Sequence, residues 1–371
     1  MKIVEVTLRE VQMPLAHPFE TSFGVTTGRR ILLIELAGED GTTSWGECVA
    51  GEHPYFSEEY VETAWAVTED ELAPRLLNAS LDHGSECPAI FEQVRGHRMA
   101  KAALENAVWE MDSLRQQMPL WKLLGGVRKV IPAGVSIGIQ ASPEKLMDVI
   151  AKEVAAGYQR IKLKCKPGWD EQIFAMARER WPDIVMSCDA NSAYRLSDAE
   201  RIATWDRFHL LMIEQPLWHD DFYFHAQLQR QIKPAICLDE CIRNRRDAQA
   251  ALELGSGRII NIKVGRVGGF TEAIAVHDVA AEHGVPVWCG GMLETGIGRA
   301  QNIALSTLEN FKLPGDVSAS QRYWAEDIIE PEVVVSAQGE IAAPAGIGRG
   351  YAEKPELIER LTVRKKVLRR A

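Results

Sequence analysis

The chain has 371 residues, 46% of them hydrophobic and 25% charged, with a formal net charge of −10. This balance excludes disordered and fibrous classes, and the acidic excess argues against a nucleic-acid partner. No apolar run reaches the roughly 18 residues of a membrane helix, and the opening MKIVEVTLREVQMPL lacks a signal peptide's apolar stretch. The seven cysteines are scattered and include no CxxC pair. Reduced thiols and a cytoplasmic location are therefore expected, rather than disulfides or zinc.

In chain order, residues 2–15 read as a strand and 31–49 as a hairpin around GEDG. Residues 57–77 and 99–116 then read as helices. Strands first and helices afterwards predict an α+β unit over 1–130. From 131 a different rhythm begins. AGVSIGI, RIKLKC, IVMSCDA, LLMIEQP, AICLDE, IINIKVG and VPVWCGG are short β-rich runs, separated by amphipathic segments such as DEQIFAMARERW and FTEAIAVHDVAAEHG. Strands alternating with helices predict a parallel sheet. An eighth segment at FKLPGD suggests an α/β fold of the modified (β/α)8, or TIM, barrel type over 131–330. An open doubly wound sheet is the competitor, but its sites gather at one switch point. Residues 331–371 read as a strand-like VVVSAQGEIAAP, a glycine-rich loop and a basic helical tail, VRKKVLRR, in a segment expected to return to the first domain.

Polar residues interrupt the apolar runs at their C-terminal ends: Lys162 and Lys164, then Asp189, Glu214, Asp239 and Lys263. From Lys164 onward the steps are 25, 25, 25 and 24 residues, one βα unit each. Strand alternation puts Lys162 and Lys164 on one face, where mutual repulsion is expected to lower at least one pKa and make a usable base. Three converging carboxylates need a cation. Oxygen-only ligands select a hard ion, best Mg²⁺. In an eight-stranded ring the second and sixth strands lie half a circumference apart. A carboxylate substrate on the metal would then have its α-carbon between lysines on opposite faces, as a 1,1-proton transfer through an enediolate requires.

This arrangement resembles the enolase superfamily, in the muconate-lactonising-enzyme subgroup, and within it the o-succinylbenzoate synthase/N-acylamino acid racemase family. The likeness runs from MPLAHPFETSFG through GHRMAKAALENAVWEMD to PGDVSASQRYW. IKLKCKPGWD carries the KxK motif with Lys162 and Lys164, and the resemblance makes Lys164 the proton-abstracting base. MSCDANSAY, LMIEQPL and ICLDE carry the metal ligands Asp189, Glu214 and Asp239, and NIKVGRVGG carries the opposing Lys263. The resemblance further implies Mg²⁺, with Mn²⁺ or Co²⁺ as substitutes, a small carboxylate substrate, and a homo-oligomer of two or more subunits. It makes 1–130 a capping domain that presents Phe19, Phe23 and Tyr55 to the substrate. From the barrel, Ser136, Asn191, Gly291, Met292 and Leu293 would line the pocket. Arg266, three residues beyond Lys263, is expected to repel that lysine's proton and so to favour racemisation; the alternative is a surface salt bridge.

Other readings fit less well. GVSIG matches the serine-hydrolase pattern, but Ser136 falls mid-strand; in SPEK, Ser142 followed by Pro143 reads as a helix cap. A dipeptide epimerase would need a carboxylate near the seventh or eighth strand to hold an ammonium group, for which Glu294 and Asp316 are the candidates. A non-catalytic carboxylate-binding barrel is the reading from another class.

Overall fold

In the computed structural model, which describes residues 1–370, the N-terminal sheet has four antiparallel strands. Ile3–Thr21 pairs with Gly24–Gly38, which pairs with Thr43–Cys48. The first strand outruns the predicted 2–15 because pairing resumes beyond a register shift after Pro14, joining Phe19 to Thr26. Alternation divides the sheet's side chains. Val11, Met13, Ile31 and Leu33 face the barrel, whereas Leu8, Leu32 and Ile34 face the helix Arg98–Arg115. That helix lies so close that a Cβ on Gly46 would sit 1.8 Å from the Ala103 carbonyl oxygen, so only glycine fits there. The predicted helix at 57–77 is observed as Val61–Val67 and Ala73–Leu77, joined by a π-helical turn.

The basic tail is not a helix. Thr362–Arg369 is the fourth strand of this sheet, antiparallel to Ile3–Thr21, and Arg369, Arg364 and Lys366 pair with Glu5, Glu62 and Glu69. An unpaired strand edge offers a row of backbone partners that outweighs local helix propensity, and lysines and arginines suit an outermost strand.

Seven parallel strands follow: Gly134–Ile137, Arg160–Lys164, Met186–Asp189, Met212–Glu214, Ala235–Leu238, Ile259–Ile262 and Val287–Cys289. Their order in the sheet is their order in the chain. The eighth segment closes the ring without becoming a regular strand. Phe311 bridges to Val287 and Gly315 to Ala133, with Pro314 between them lacking an N–H for the ladder. Ser136 lies inside the first strand, and Ser142 Oγ accepts from the Lys145 N–H as a helix cap, so neither is a nucleophile elbow.

Two cap carboxylates lock the domains together. Glu47 accepts from the Thr295 and Gly298 amides at the start of helix Gly296–Ser306. Glu105 accepts from the Phe270 and Thr271 amides at the start of helix Phe270–Glu282. Both occupy helix N-termini, where free N–H groups favour a negative charge. Burial still pushes each carboxyl up to about 7.

Candidate active site and metal centre

Parallel register builds the acidic row. Lys164 stands opposite Asp189, and Asp189 opposite Glu214. Asp239 follows directly on the fifth strand, which ends at Leu238. All three carboxylates are buried and each offers an oxygen within 4.8 Å of the others, a spacing that can hold one cation. Their charges strain one another. Burial and the nearby Asp189 and Asp239 push the Glu214 carboxyl up to about 8, despite Lys162. Burial also disfavours charge on Asp189 and Asp239, but lysines 164 and 162 hold the first below the usual carboxylate range, and Lys263 with Arg266 holds the second there. A donor set of three crowded carboxylates fits a hard divalent ion.

The lysines flank this row. Lys164 Nζ donates to Asp189 Oδ2 at 2.6 Å and to Asn191 Oδ1 at 2.8 Å. Lys162 Nζ lies 2.7 Å from Glu214 and 2.6 Å from Asp316. On the far side Lys263 Nζ donates to Asp239 Oδ2 at 2.8 Å, with its ammonium 4.2 Å from the centre of the Phe56 ring. The lowered pKa expected of a crowded lysine pair is not found at Lys162. Burial disfavours its charge, but Asp316, Glu214 and Asp189 outweigh both burial and Arg160 and raise the pKa well above the ordinary value. Arg266 is no surface group: it is buried, bonded to Asp239 Oδ1 and to the Ile242 and Asn261 carbonyls.

A cavity of about 780 Å³ opens above these groups, between cap and barrel. Lys162, Lys164 and Lys263 form part of its floor, and Ser136, Asn191, Gly291, Met292 and Leu293 line it from the barrel. Phe19, Phe23 and Tyr55 line it from the cap, the last two exposed. Asn191 and Leu293 carry positive φ angles of 42° and 59°, an uncommon backbone conformation that places strand-end side chains at the mouth.

Sequence reasoning missed Glu240 and Asn261, and named Asn191, Asp316 and Glu294 without the partners they take. Asn191 Nδ2 donates to Glu240 at 2.9 Å and Asn261 Nδ2 to Glu214 at 2.7 Å, fixing the row from both sides. Asn261 was findable, since it sits two residues before Lys263 and shares its strand face. Asp316 accepts from both Lys162 and Arg160, a contact made only when the barrel closes. Glu294 is turned to Asn302 at 2.9 Å and does not line the cavity.

Comparison with known proteins agrees with this geometry. Residues 3–125 match the mandelate racemase/muconate lactonizing enzyme N-terminal domain, and residues 145–357 match the enolase C-terminal domain-like family. The chain is 52% identical over 362 residues to an o-succinylbenzoate synthase of Geobacillus kaustophilus, covering 98% of this chain and 96% of that one. It is 47% identical over 366 residues to an N-succinylamino acid racemase of an Amycolatopsis species, covering 98% and 99%. A solved enolase-superfamily member from Listeria innocua superimposes with a TM-score of 0.96 at 37% identity, over 100% of both chains. With both domains matched and full-length relatives at this identity, the chain belongs to the enolase superfamily, in the family that includes o-succinylbenzoate synthases and N-succinylamino acid racemases.

Proposed function

We propose that this protein removes the α-proton of a carboxylate substrate in a metal-dependent reaction, acting both as an o-succinylbenzoate synthase in menaquinone synthesis and as an N-succinyl- or N-acylamino acid racemase. The observation that carries this reading is the placement of Lys164 and Lys263 on the second and sixth barrel units, on either side of the acidic row. Asp189, Glu214 and Asp239 would hold Mg²⁺, with Mn²⁺ or Co²⁺ as substitutes. When bound, the ion supplies positive charge that offsets the charge developing on the substrate carboxylate.

The chain's own residues do the rest. Lys164 takes the α-proton from one face, its Nζ steered by Asn191. Lys263 returns a proton to the opposite face, which inverts the centre. In dehydration the same carbanionic species expels its β-hydroxyl, which leaves as water with the proton that Lys164 took up, and Lys263 serves as a cationic partner rather than a proton carrier. Lys162, held charged by Asp316 and Glu214, adds a fixed positive charge beside Lys164. Phe19, Phe23 and Tyr55 cover the substrate and limit water.

A dipeptide epimerase is disfavoured because neither anticipated carboxylate is free for an ammonium group: Asp316 is bound by two cations and Glu294 faces Asn302. The seven free, buried cysteines accord with a reducing cytoplasm, and no helix among the described residues is long and apolar enough to cross a membrane. A homo-oligomer is part of the same reading, and sedimentation would measure it. The deciding experiment follows α-deuterium exchange in N-succinylphenylglycine with Mg²⁺, together with kcat/KM for dehydration and racemisation on one preparation. Exchange and both turnovers are expected; their absence in the metal-loaded protein would sink the reading.

A further inference from the structure

The products and substrates named by the relatives share a succinyl group, so each carries a second carboxylate besides the one destined for the acidic row. Besides Lys162, which Glu214 and Asp316 already pair, the cavity holds a buried cation that proton transfer does not use. Arg29, in strand Gly24–Gly38, lines the cavity and is 6% exposed. Alternation turns it toward the barrel with Ile31 and Leu33, whereas Arg30 faces the other way and pairs with Glu10 and Glu62.

Arg29 is short of partners. Its Nη2 donates to the Val49 and Ala50 carbonyls at 3.1 and 3.0 Å, while Nε is buried with no partner and Nη1 donates to no described residue. Buried Arg160, Arg266 and Arg349 each hold a carboxylate. Arg299 holds none, but it lies outside the cavity with its two Nη atoms on carbonyls. The acids nearest Arg29 are engaged elsewhere: Glu47 with Thr295 and Gly298, Glu294 with Asn302. Burial lowers the pKa of the guanidinium even against those two acids. The other basic side chains of the upper cavity, His53 and Arg360, are exposed at its rim and keep their water. A guanidinium stripped of water and left without an anion is costly, and its uncommitted Nη1 can donate a charge-assisted hydrogen bond to a carboxylate.

We propose that Arg29 anchors the second carboxylate of the substrate and thereby selects succinylated acids over neutral acyl derivatives. This rests on the functional reading above, with the first carboxylate at the acidic row. It assigns Arg29 two duties at once, since its Nη2 also holds the Val49–Ala50 segment from which the Tyr55 loop departs.

The test is calorimetric titration of Mg²⁺-loaded Lys164→Ala protein, which does not turn ligands over, with N-succinyl-L-phenylalanine and N-acetyl-L-phenylalanine. With Arg29 present, the succinyl compound should bind about 30-fold tighter or more, the size of effect expected of a desolvated charge pair. Arg29→Met should bring the two affinities within about threefold of each other, and Arg29→Lys, which keeps the charge and guards against misfolding, should retain part of the preference. An unchanged preference in Arg29→Met overturns the proposal. So does an equal loss for both ligands, which would leave Arg29 only its hold on Val49 and Ala50. The two readings fail separately. A protein with no α-proton exchange but an Arg29-dependent succinyl preference refutes the catalytic reading alone; exchange without any such preference refutes the anchor alone.

Discussion

Lys263 and Arg266 close on the same carboxylate: Asp239 accepts from Lys263 through Oδ2, at 2.8 Å, and from Arg266 through Oδ1. Burial disfavours charge on Lys263, but Asp239 and Glu240 outweigh it, with Arg266 pulling the other way, and the pKa ends above the ordinary value. Arg266 thus takes a share of the anion that would otherwise hold the lysine's proton. In the proposed mechanism racemisation needs Lys263 to exchange that proton, whereas dehydration needs only its charge. Arg266→Gln should lower kcat/KM for racemisation about tenfold relative to dehydration, which corresponds to one pKa unit of differential interaction. Racemisation left intact while dehydration halves would refute this role.

The two lysines make the site stereochemically divisible. Lys164→Ala should lose both dehydration and racemisation by about 10²–10⁴-fold or more, the contribution of a positioned proton-transfer group. Lys263→Ala should stop racemisation yet still exchange the α-proton of the one enantiomer that faces Lys164. Proton NMR of separate D and L substrates in deuterated buffer distinguishes this from a general loss, in which neither enantiomer exchanges.

Metal removal reaches stability as well as turnover. Burial, together with repulsion from Asp189 and Asp239, pushes Glu214 up to about 8. An ion bound there stabilises only the folded chain, by about 2.7 kcal/mol when present at a hundred times its dissociation constant. Dialysis against a chelator should abolish α-proton exchange and lower Tm, and Mg²⁺, Mn²⁺ or Co²⁺ should restore both. Asp189→Asn should blunt the metal-dependent rise in Tm; a rise of unchanged size would remove Asp189 from the ligand set.

Glu105 makes the junction between cap and barrel sensitive to pH. Burial raises its pKa to about 7, outweighing the donors from Thr271, Phe270 and Trp109. Between an unfolded value near 4.3 and this folded one, the native chain binds the proton more tightly, so this group's contribution to stability falls as pH rises. The slope is at most about 1.4 kcal/mol per pH unit. Glu105→Gln should flatten that slope in urea denaturation followed from pH 5 to 8. It should also cost about 1–3 kcal/mol at neutral pH, because an amide NH₂ cannot accept from the donors that a carboxylate oxygen satisfies. An unaltered slope would show that Glu105 does not govern this part of the pH profile.

The row of lysines and carboxylates was legible in the chain because each of its members obeys a local rule. One strand end per βα unit gives the 25-residue steps from Lys164 to Asp239, and a period of two puts Lys162 beside Lys164. No comparable rule exists for groups that meet only when the ring closes or the cap lands. Asp316 reaches Lys162 from 154 positions away because the eighth segment returns to the first strand. That contact, with those of Glu214 and Asp189, outweighs burial and raises the Lys162 pKa where two adjacent lysines alone suggest a fall. VRKKVLRR carries no signal for its final state, since an edge left open by Ile3–Thr21 makes it a strand. Arg29 likewise lies just before the hairpin expected at 31–49, and only the sheet's barrel-facing side shows where it points. Local periodicity determined which residues sit at strand ends; only tertiary closure decided which charges are paired, because pairing depends on through-space distance and on the water that packing removes.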